Sequence, residues 1–169
     1  HNSGYPVKIV DVRYSPDPLR DAYEQIIDST DVLGVCTFED NFPWVKELLS
    51  MIKQDRPKMP IICGGSLVTS VPHIFMEHTE CDVAVISEGE ITILELMDAY
   101  CRGEWKARRN GVSTASEKKL STIRGIFYRT THKNGKKKHY ASTDPRGQMM
   151  DLDALPKMNL NLWPQAQTE

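Results

Sequence analysis

Two short segments of the sequence combine residue types that suit ligand binding. Gly64-Gly65-Ser66 follows the apolar run 61–63, and Glu88-Gly89-Glu90 follows the apolar run 83–86. Paired glycines let a bulky or flat ligand approach the backbone, whereas the glutamates supply two carboxylates around a flexible residue. Each segment also has a structural interpretation. The glycines suit a tight turn against a helix, and acidic residues are favoured at a helix N-terminus by its dipole.

The sequence lacks the common motifs of catalysis and nucleotide binding. No GxGxxG, GxxxxGK[ST], HExxH or GxSxG pattern occurs, so we predict no catalytic residue. His73 and His78 lie on a predicted helix and suit surface or core positions better than metal ligation. The cysteines include no CxxC pair, which argues against a zinc or iron–sulfur site. Three of them lie in or beside apolar runs and are expected to be buried, reduced thiols: Cys36, Cys63 and Cys81.

Alternating strand and helix patterns in the first hundred residues would position these segments. β-rich apolar runs predict strands at 7–12, 32–37, 60–63 and 83–86. Apolar residues at helical spacing predict helices within 19–27, 45–52, 74–78 and 93–100. Continuous apolar strands between amphipathic helices are typical of an α/β fold with an open, doubly wound parallel sheet, Rossmann- or flavodoxin-like.

The loops that follow the predicted strands form the candidate site. Ligands of open parallel sheets bind beyond the carboxyl ends of the strands. The corresponding positions are Asp11 and Arg13 after the first strand, 37–41 after the second, 64–69 after the third and 87–90 after the fourth.

Positive charge is concentrated in the second part of the chain. The net charge is −2, yet residues 102–146 contain 13 Lys/Arg and 3 Asp/Glu, a local net charge of +10. We predict a polar loop at 102–122, a strand at 123–129 and an Asn134-Gly135 turn before a return strand at 137–142. The resulting basic hairpin would be appended to the sheet, either as a docking surface or as a solvated charged element. Residues 151–156 lack periodicity and predict a connector.

The composition excludes several classes of protein. Hydrophobic residues make up 40% and charged residues 26%, as in soluble globular domains. No apolar run approaches the roughly 20 residues of a membrane helix. The first residues show no basic-then-apolar signal peptide, so we expect a cytoplasmic protein. The acidic remainder of the chain and the few aromatic residues among the basic ones argue against nucleic-acid binding.

The order of these segments resembles the cobalamin-binding domain that precedes the barrel of cobalamin-dependent radical S-adenosylmethionine enzymes. Residues 4–11, 31–37 and 61–66 resemble its second, third and fourth strands. Residues 82–96 resemble the segment in which Gly-Glu-Gly-Glu leads a helix, and 123–129 and 152–156 resemble the hairpin and the connector. The resemblance covers roughly residues 4–164, and magnesium-protoporphyrin IX monomethyl ester oxidative cyclases are among the members that the chain resembles.

The resemblance implies a module that binds cobalamin without catalysing a reaction itself, within a parent enzyme of the oxidative cyclase or methyltransferase type. It implies a corrin ring at the carboxyl edge, a nucleotide tail passing Gly64 and Gly65, and a downstream radical domain that holds the 4Fe-4S cluster and S-adenosylmethionine outside this chain. It divides the chain into a cobalamin module at 1–101, a basic loop and hairpin at 102–147 and a linker at 148–169. The implied cofactor-binding residues are Asp11, Cys36, Thr37, Phe38, Gly64, Gly65, Ser66, Thr69, Glu88, Gly89 and Glu90.

Several departures from the family pattern favour an alternative. DxHxxG, whose histidine binds cobalt from below in some members, does not occur, and the first strand is expected to precede His1 or to be absent. Cys36 and Phe38 replace the usual Ser and Leu, and Ser87 replaces Gly or Arg. No CxxxCxxC occurs, so this chain carries no radical cluster. The alternative is a docking or regulatory module of the same fold that has lost the cofactor.

Overall fold

The computed structural model describes residues 4–108, 111–130 and 139–149, together with Asp151, Asp153, Leu155 and Leu162. Helices and strands alternate along most of this length. In chain order the elements are α1 (Pro18–Ile27), β1 (Leu33–Cys36), α2 (Phe42–Asp55), β2 (Ile61–Gly64), α3 (Ser66–Ser70), α4 (Pro72–His78), β3 (Val83–Val85), α5 (Glu90–Cys101), β4 (Ala107–Arg108), β5 (Gly111–Val112), α6 (Thr114–Leu120), β6 (Ile126–Thr130) and β7 (His139–Ser142).

The strands form one mixed sheet. β1, β2 and β3 are parallel neighbours, with Cys36 opposite Gly64 and Cys63 opposite Ala84. β6 then pairs antiparallel with β3, β7 pairs antiparallel with β6, and β5 and β4 continue beyond β6. The predicted α/β fold is confirmed. The predicted hairpin is not a separate attachment, because β6 hydrogen-bonds directly to β3; its predicted turn at 133–136 lies outside the described residues.

Two hydrophobic cores lie on opposite faces of the sheet. Alternate residues of β2 point to different cores: Ile61 and Cys63 join one, and Ile62 joins the other. The first core is covered by α1, α2 and α4, where α2 contributes Val45, Leu48, Leu49 and Ile52 at helical spacing. The second core is covered by α5 and α6 and includes Leu96, Trp105, Leu120 and Ile123. In the described part of the chain, no helix has the length and hydrophobicity needed to cross a membrane.

The ends of α1 and α2 follow local rules. Asp17 accepts a hydrogen bond from the backbone of Arg20 at 3.2 Å, and Pro18 occupies the first helical turn, where its missing N–H is not needed. α2 also carries a proline in its first turn. α1 and α2 lie side by side over the first core. The loop after β1 leads into the start of α2, so this packing fixes where the loop ends.

The prediction of a strand at 7–12 is wrong. The structure gives these residues no regular secondary structure. A strand requires a hydrogen-bonded neighbour, and β1, the edge strand of the described sheet, pairs only with β2. Instead, Val10 and Val12 pack against the first core, and the Lys8 amine donates to the carbonyl of Gln25 on α1 at 3.3 Å. The apolar character of this run therefore serves packing.

The predictions of a loop at 102–122 and of a buried Cys36 are also wrong. Residues 102–122 contain β4, β5 and α6. α6 begins after Ser113, whose hydroxyl accepts from the backbone of Ser116 at 3.2 Å. Cys36 is exposed because it lies at the end of an edge strand, whereas Cys63 and Cys81 are buried.

A buried ion pair joins α2 to the residue before β3, at the edge where β2 and β3 begin. The Lys53 amine donates to the Asp82 carboxylate at 2.7 Å and to the Met59 carbonyl at 2.7 Å. The same carboxylate oxygen accepts from the Ile61 backbone at 2.8 Å. Burial raises the pKa of Asp82, and the charge of Lys53 opposes that shift. This pair stabilises the edge opposite the candidate site.

Candidate functional site

Thr37 joins the loops at the carboxyl ends of β1 and β2. Its side chain is buried, and both its backbone N–H and its hydroxyl donate to the Gly64 carbonyl at 2.8 Å. The predicted site residue therefore lies at the carboxyl edge, as the sequence pattern predicts. Its hydroxyl proton is used within the protein and the residue is fully buried, so Thr37 holds the two loops together.

The two glycines of the loop after β2 have different roles. Gly65 has a φ of +106°, and a Cβ there would lie 2.3 Å from the Thr37 carbonyl oxygen and 2.8 Å from the Thr37 nitrogen. The fold itself therefore requires this glycine. A Cβ at Gly64 would meet only the Val85 carbonyl oxygen, at 3.9 Å. Packing within the protein does not explain Gly64, and the open space above it leaves room for a ligand against the backbone.

The loop after β1 is held by Asn41, which the sequence analysis placed in this loop but did not name as a binding residue. The Asn41 side-chain carbonyl accepts from the Phe38 backbone at 2.9 Å, and its amide donates to the Cys36 carbonyl at 3.2 Å. An asparagine shortly after a strand end is a known turn-forming signal. With the loop fixed in this way, Cys36 and Phe38 stay exposed at the carboxyl edge, and 47% of Phe38 is accessible.

The loops after β2 and β3 are joined by Thr69. Its hydroxyl accepts from the Ser87 backbone at 3.0 Å. Ser87 has a φ of +64°, the left-handed conformation that a residue other than glycine adopts at a cost. Ser66 begins α3, and its hydroxyl contacts Glu39 at 3.4 Å. The structure thus brings Thr37, Gly64, Ser66, Thr69 and Ser87 together through short loop contacts.

The Glu88-Gly89-Glu90 segment forms the start of α5. Gly89 caps the helix and Glu90 occupies its first turn, which confirms the helix N-terminus interpretation. Glu88 is partly buried, and its carboxylate accepts from the Met149 backbone N–H at 2.7 Å. No signal in the sequence connects these two residues, which are 61 positions apart. Glu90 remains exposed.

Asp11 is held within its own segment. Its carboxylate accepts two hydrogen bonds from Nε of Arg13, at 3.0 and 3.1 Å, and one from Nη2 of Arg13, at 2.7 Å. Because residues 7–12 do not form a strand, Asp11 does not follow a strand end as predicted. The Asp11 carboxylate is thus engaged by Arg13, two residues further along the chain.

The edge offers surfaces that suit ligand binding. Among the described residues, no group of three or more His, Cys, Asp or Glu side chains is placed to hold a metal ion. Burial raises the pKa of the Cys63 thiol well above its usual value, so it stays protonated immediately below the edge. A backbone surface at Gly64 beside an exposed Phe38 suits a large ligand with apolar surface. The residues present therefore fit a corrin cofactor.

Comparison with known proteins gives a consistent result. Among curated proteins, the chain is 25% identical over 135 residues to the uncharacterized methyltransferase PH0819 of Pyrococcus horikoshii, which covers 79% of this chain and 25% of that protein. Two structures of the radical S-adenosylmethionine methyltransferase TsrM from Kitasatospora setae share the fold. The one with cobalamin and a [4Fe-4S] cluster has a TM-score of 0.60 at 17% identity, over 94% of this chain and 26% of that one. The one with tryptophan and an S-adenosylmethionine analogue has a TM-score of 0.59 at 18% identity, over 86% of this chain and 25% of that one.

The chain therefore spans about a quarter of the length of these relatives. The family model described as the B12 binding domain matches residues 1–97, more than half of the 169 residues. Cobalamin is the cofactor to which this family match points. On this evidence, the chain belongs to the B12-binding domain family.

Proposed function

We propose that the chain binds cobalamin at the carboxyl edge of β1, β2 and β3 and serves as the cobalamin-binding part of a radical S-adenosylmethionine enzyme. The observation that carries this proposal is the contrast between the two adjacent glycines. Gly65 is required by contact with Thr37, whereas Gly64 leaves open space that packing within the protein does not explain. A cofactor tail lying against the Gly64 backbone accounts for the second glycine.

Several of the predicted residues have a role that their position allows. Gly64 would leave space for the tail, and Phe38 would offer exposed apolar surface beside the ring. Thr37 is buried and bonded to Gly64, so it would shape the loop without contacting the cofactor. Exposed polar groups at the same edge would face the corrin amides: Ser66, Thr69 and Glu90. When bound, cobalamin supplies the organometallic chemistry of its cobalt, and the protein contributes placement and exclusion of water.

The remainder of the enzyme would follow this chain. The relatives are about four times longer than the matched region, which supports a further domain that holds the iron–sulfur cluster and S-adenosylmethionine. Both named relatives are methyltransferases, so we favour a methyltransferase over an oxidative cyclase as the parent enzyme. The cytoplasm is the compartment that we propose, because all four cysteines are free thiols.

We propose a different division of the chain from the one that the resemblance implies. β6 and β7 belong to the same sheet as β1, β2 and β3, so we propose that the binding unit extends through the hairpin to Met149 and does not end at residue 101. Residues after Met149 would connect this unit to the next domain.

Reconstitution tests this function directly. The chain is incubated with hydroxocobalamin under reducing conditions and desalted, and bound cobalamin is measured by its visible absorbance against protein concentration. We expect near-stoichiometric retention. Free cobalamin that separates completely from a folded protein would refute the proposal for this chain.

One observation favours a second candidate, a docking module without cofactor. Two predicted cofactor contacts already have partners in the protein, since Thr37 donates to Gly64 and Glu88 accepts from Met149. This candidate predicts that the chain binds the rest of the parent enzyme equally well with and without cobalamin. A pull-down of the separately expressed downstream domain, with and without hydroxocobalamin, distinguishes the two functions.

A further inference from the structure

After β7 the chain returns to the loop after β3. Residues 143–149, here called the exit strap, run from the end of β7 past the start of β6 to the loop after β3. Thr143 and Asp144 begin the strap with backbone contacts: Thr143 N–H donates to the Ile126 carbonyl at 3.0 Å, and Gly125 N–H donates to the Asp144 carbonyl at 2.8 Å.

Arg146 fastens the middle of the strap to α5. Its Nε donates to the Thr92 hydroxyl at 2.8 Å, and its Nη2 donates to the Glu95 carboxylate. Thr92 is fully buried, and only 18% of the Arg146 side chain is exposed. A Cβ at Gly125, where φ is +77°, would approach the Cβ of Arg146 to 3.2 Å. The turn before β6 therefore uses a glycine where the strap lies against it.

Glu88 fastens the end of the strap to the ligand edge. Its carboxylate accepts from the Met149 N–H at 2.7 Å, and the preceding residue, Ser87, is held by the Thr69 hydroxyl. Thr69 in turn donates its backbone N–H to the Gly65 carbonyl at 3.0 Å. The glycine loop, α3, the loop after β3 and the strap are thus connected by consecutive hydrogen bonds.

We propose that Glu88 and Arg146 are positioning residues that fasten the exit strap to the ligand edge, so that ordering of the strap and binding of cobalamin favour each other. The coupling rests on the proposed function. A ligand against Gly64 and Gly65 restrains α3, and through Thr69 and Ser87 it restrains Glu88. Thermodynamic linkage requires the converse, that an ordered strap strengthens cobalamin binding by the same factor. Cofactor occupancy thereby sets the direction in which the chain leaves the site.

Amide hydrogen exchange of the full chain, read at Met149 by NMR, tests the fastening without any ligand. Replacing Glu88 by Ala removes a charge-assisted acceptor, and we expect exchange at Met149 to become about tenfold faster. Glu88→Gln keeps a carbonyl acceptor and should give an intermediate rate. Glu47→Ala, at an exposed position on α2, is the matched control and should leave the rate unchanged. Equal exchange rates in the wild type and in Glu88→Ala would refute the claim that Glu88 holds the end of the strap.

Hydroxocobalamin then tests the coupling. In the wild type, cobalamin should slow exchange at Met149, and Glu88→Ala should lose this slowing and bind cobalamin more weakly by the same factor. Arg146→Met, which changes the strap and no predicted cofactor contact, should also weaken binding. If Glu88→Ala weakens binding and Arg146→Met does not, Glu88 contacts the cofactor directly and the coupling is wrong. If the wild type retains no cobalamin, the proposed function and the coupling both fail, and the ligand-free exchange rates still decide the fastening.

Discussion

The Gly65→Ala substitution gives the sharpest test of the geometry at the carboxyl edge. The new Cβ would lie 2.3 Å from the Thr37 carbonyl oxygen, a backbone atom that cannot rotate away. A φ of +106° adds strain of about 1–3 kcal/mol for a residue with a side chain. Relieving the overlap by shifting the loop adds roughly 1–3 kcal/mol. We therefore expect the free energy of unfolding to fall by about 2–6 kcal/mol, the sum of these two ranges.

Urea unfolding followed by circular dichroism measures this loss, and Gly64→Ala is the matched variant. A Cβ at Gly64 has only the Val85 carbonyl oxygen within 4 Å, at 3.9 Å, so we expect stability within about 1 kcal/mol of the wild type. Neighbouring glycines in one loop should therefore differ by several kcal/mol. A Gly65→Ala protein as stable as Gly64→Ala would refute the conclusion that the fold requires Gly65 and that Gly64 leaves space for a ligand.

Three further predictions concern the supporting structure. Lys53→Met leaves the buried Asp82 carboxylate without its partner and should cost about 3–5 kcal/mol in urea unfolding, whereas Arg20→Met, which breaks an exposed pair with Glu24, should cost less than about 1 kcal/mol. Ser87→Gly should raise stability by roughly 0.5–1 kcal/mol because it relieves the left-handed φ; a loss of stability would contradict this. The Tyr5 hydroxyl donates to Asp98, which raises the pKa of Tyr5 from 10.0 to about 12. The stabilisation of the folded state by this hydrogen bond is therefore complete below pH 10 and is lost as pH rises toward 12. Absorbance titration of the wild type minus Tyr5→Phe should show this value, and Asp98→Asn should return it toward 10.0.

The sequence predicted the elements whose signal is local. Continuous apolar runs located β1, β2 and β3, and helical spacing of residues such as Leu48 and Ile52 located α2. These patterns are strong because both faces of the central strands are buried. The start of α5 after Glu88-Gly89 was likewise predictable, since glutamate at a helix N-terminus has a local physical reason.

The elements that the sequence analysis missed depend on distant contacts. α6 buries only Ser116 and Leu120, and only Leu120 is apolar, so the sequence shows no apolar stripe there; Leu120 joins a core shared with α5 and β3. The hydrogen bonds from Ser87 to Thr69 and from Met149 to Glu88 join residues 18 and 61 positions apart. The run at 7–12 was predicted as a strand from its β-rich composition, which is a local signal. A strand also needs a neighbouring strand to pair with, and this requirement cannot be seen in the local composition.

The dissociation constant of hydroxocobalamin for Gly64→Val tests the central claim most directly. Gly34→Val is the control, because Gly34 lies in β1, a Cβ there would have no atom within 4 Å, and the residue is not a predicted contact. Both variants should fold, as judged by circular dichroism. We predict that Gly64→Val binds about tenfold or more weakly than the wild type, while Gly34→Val binds with unchanged affinity. Equal affinity of the wild type and Gly64→Val would contradict the claim that cobalamin lies against Gly64.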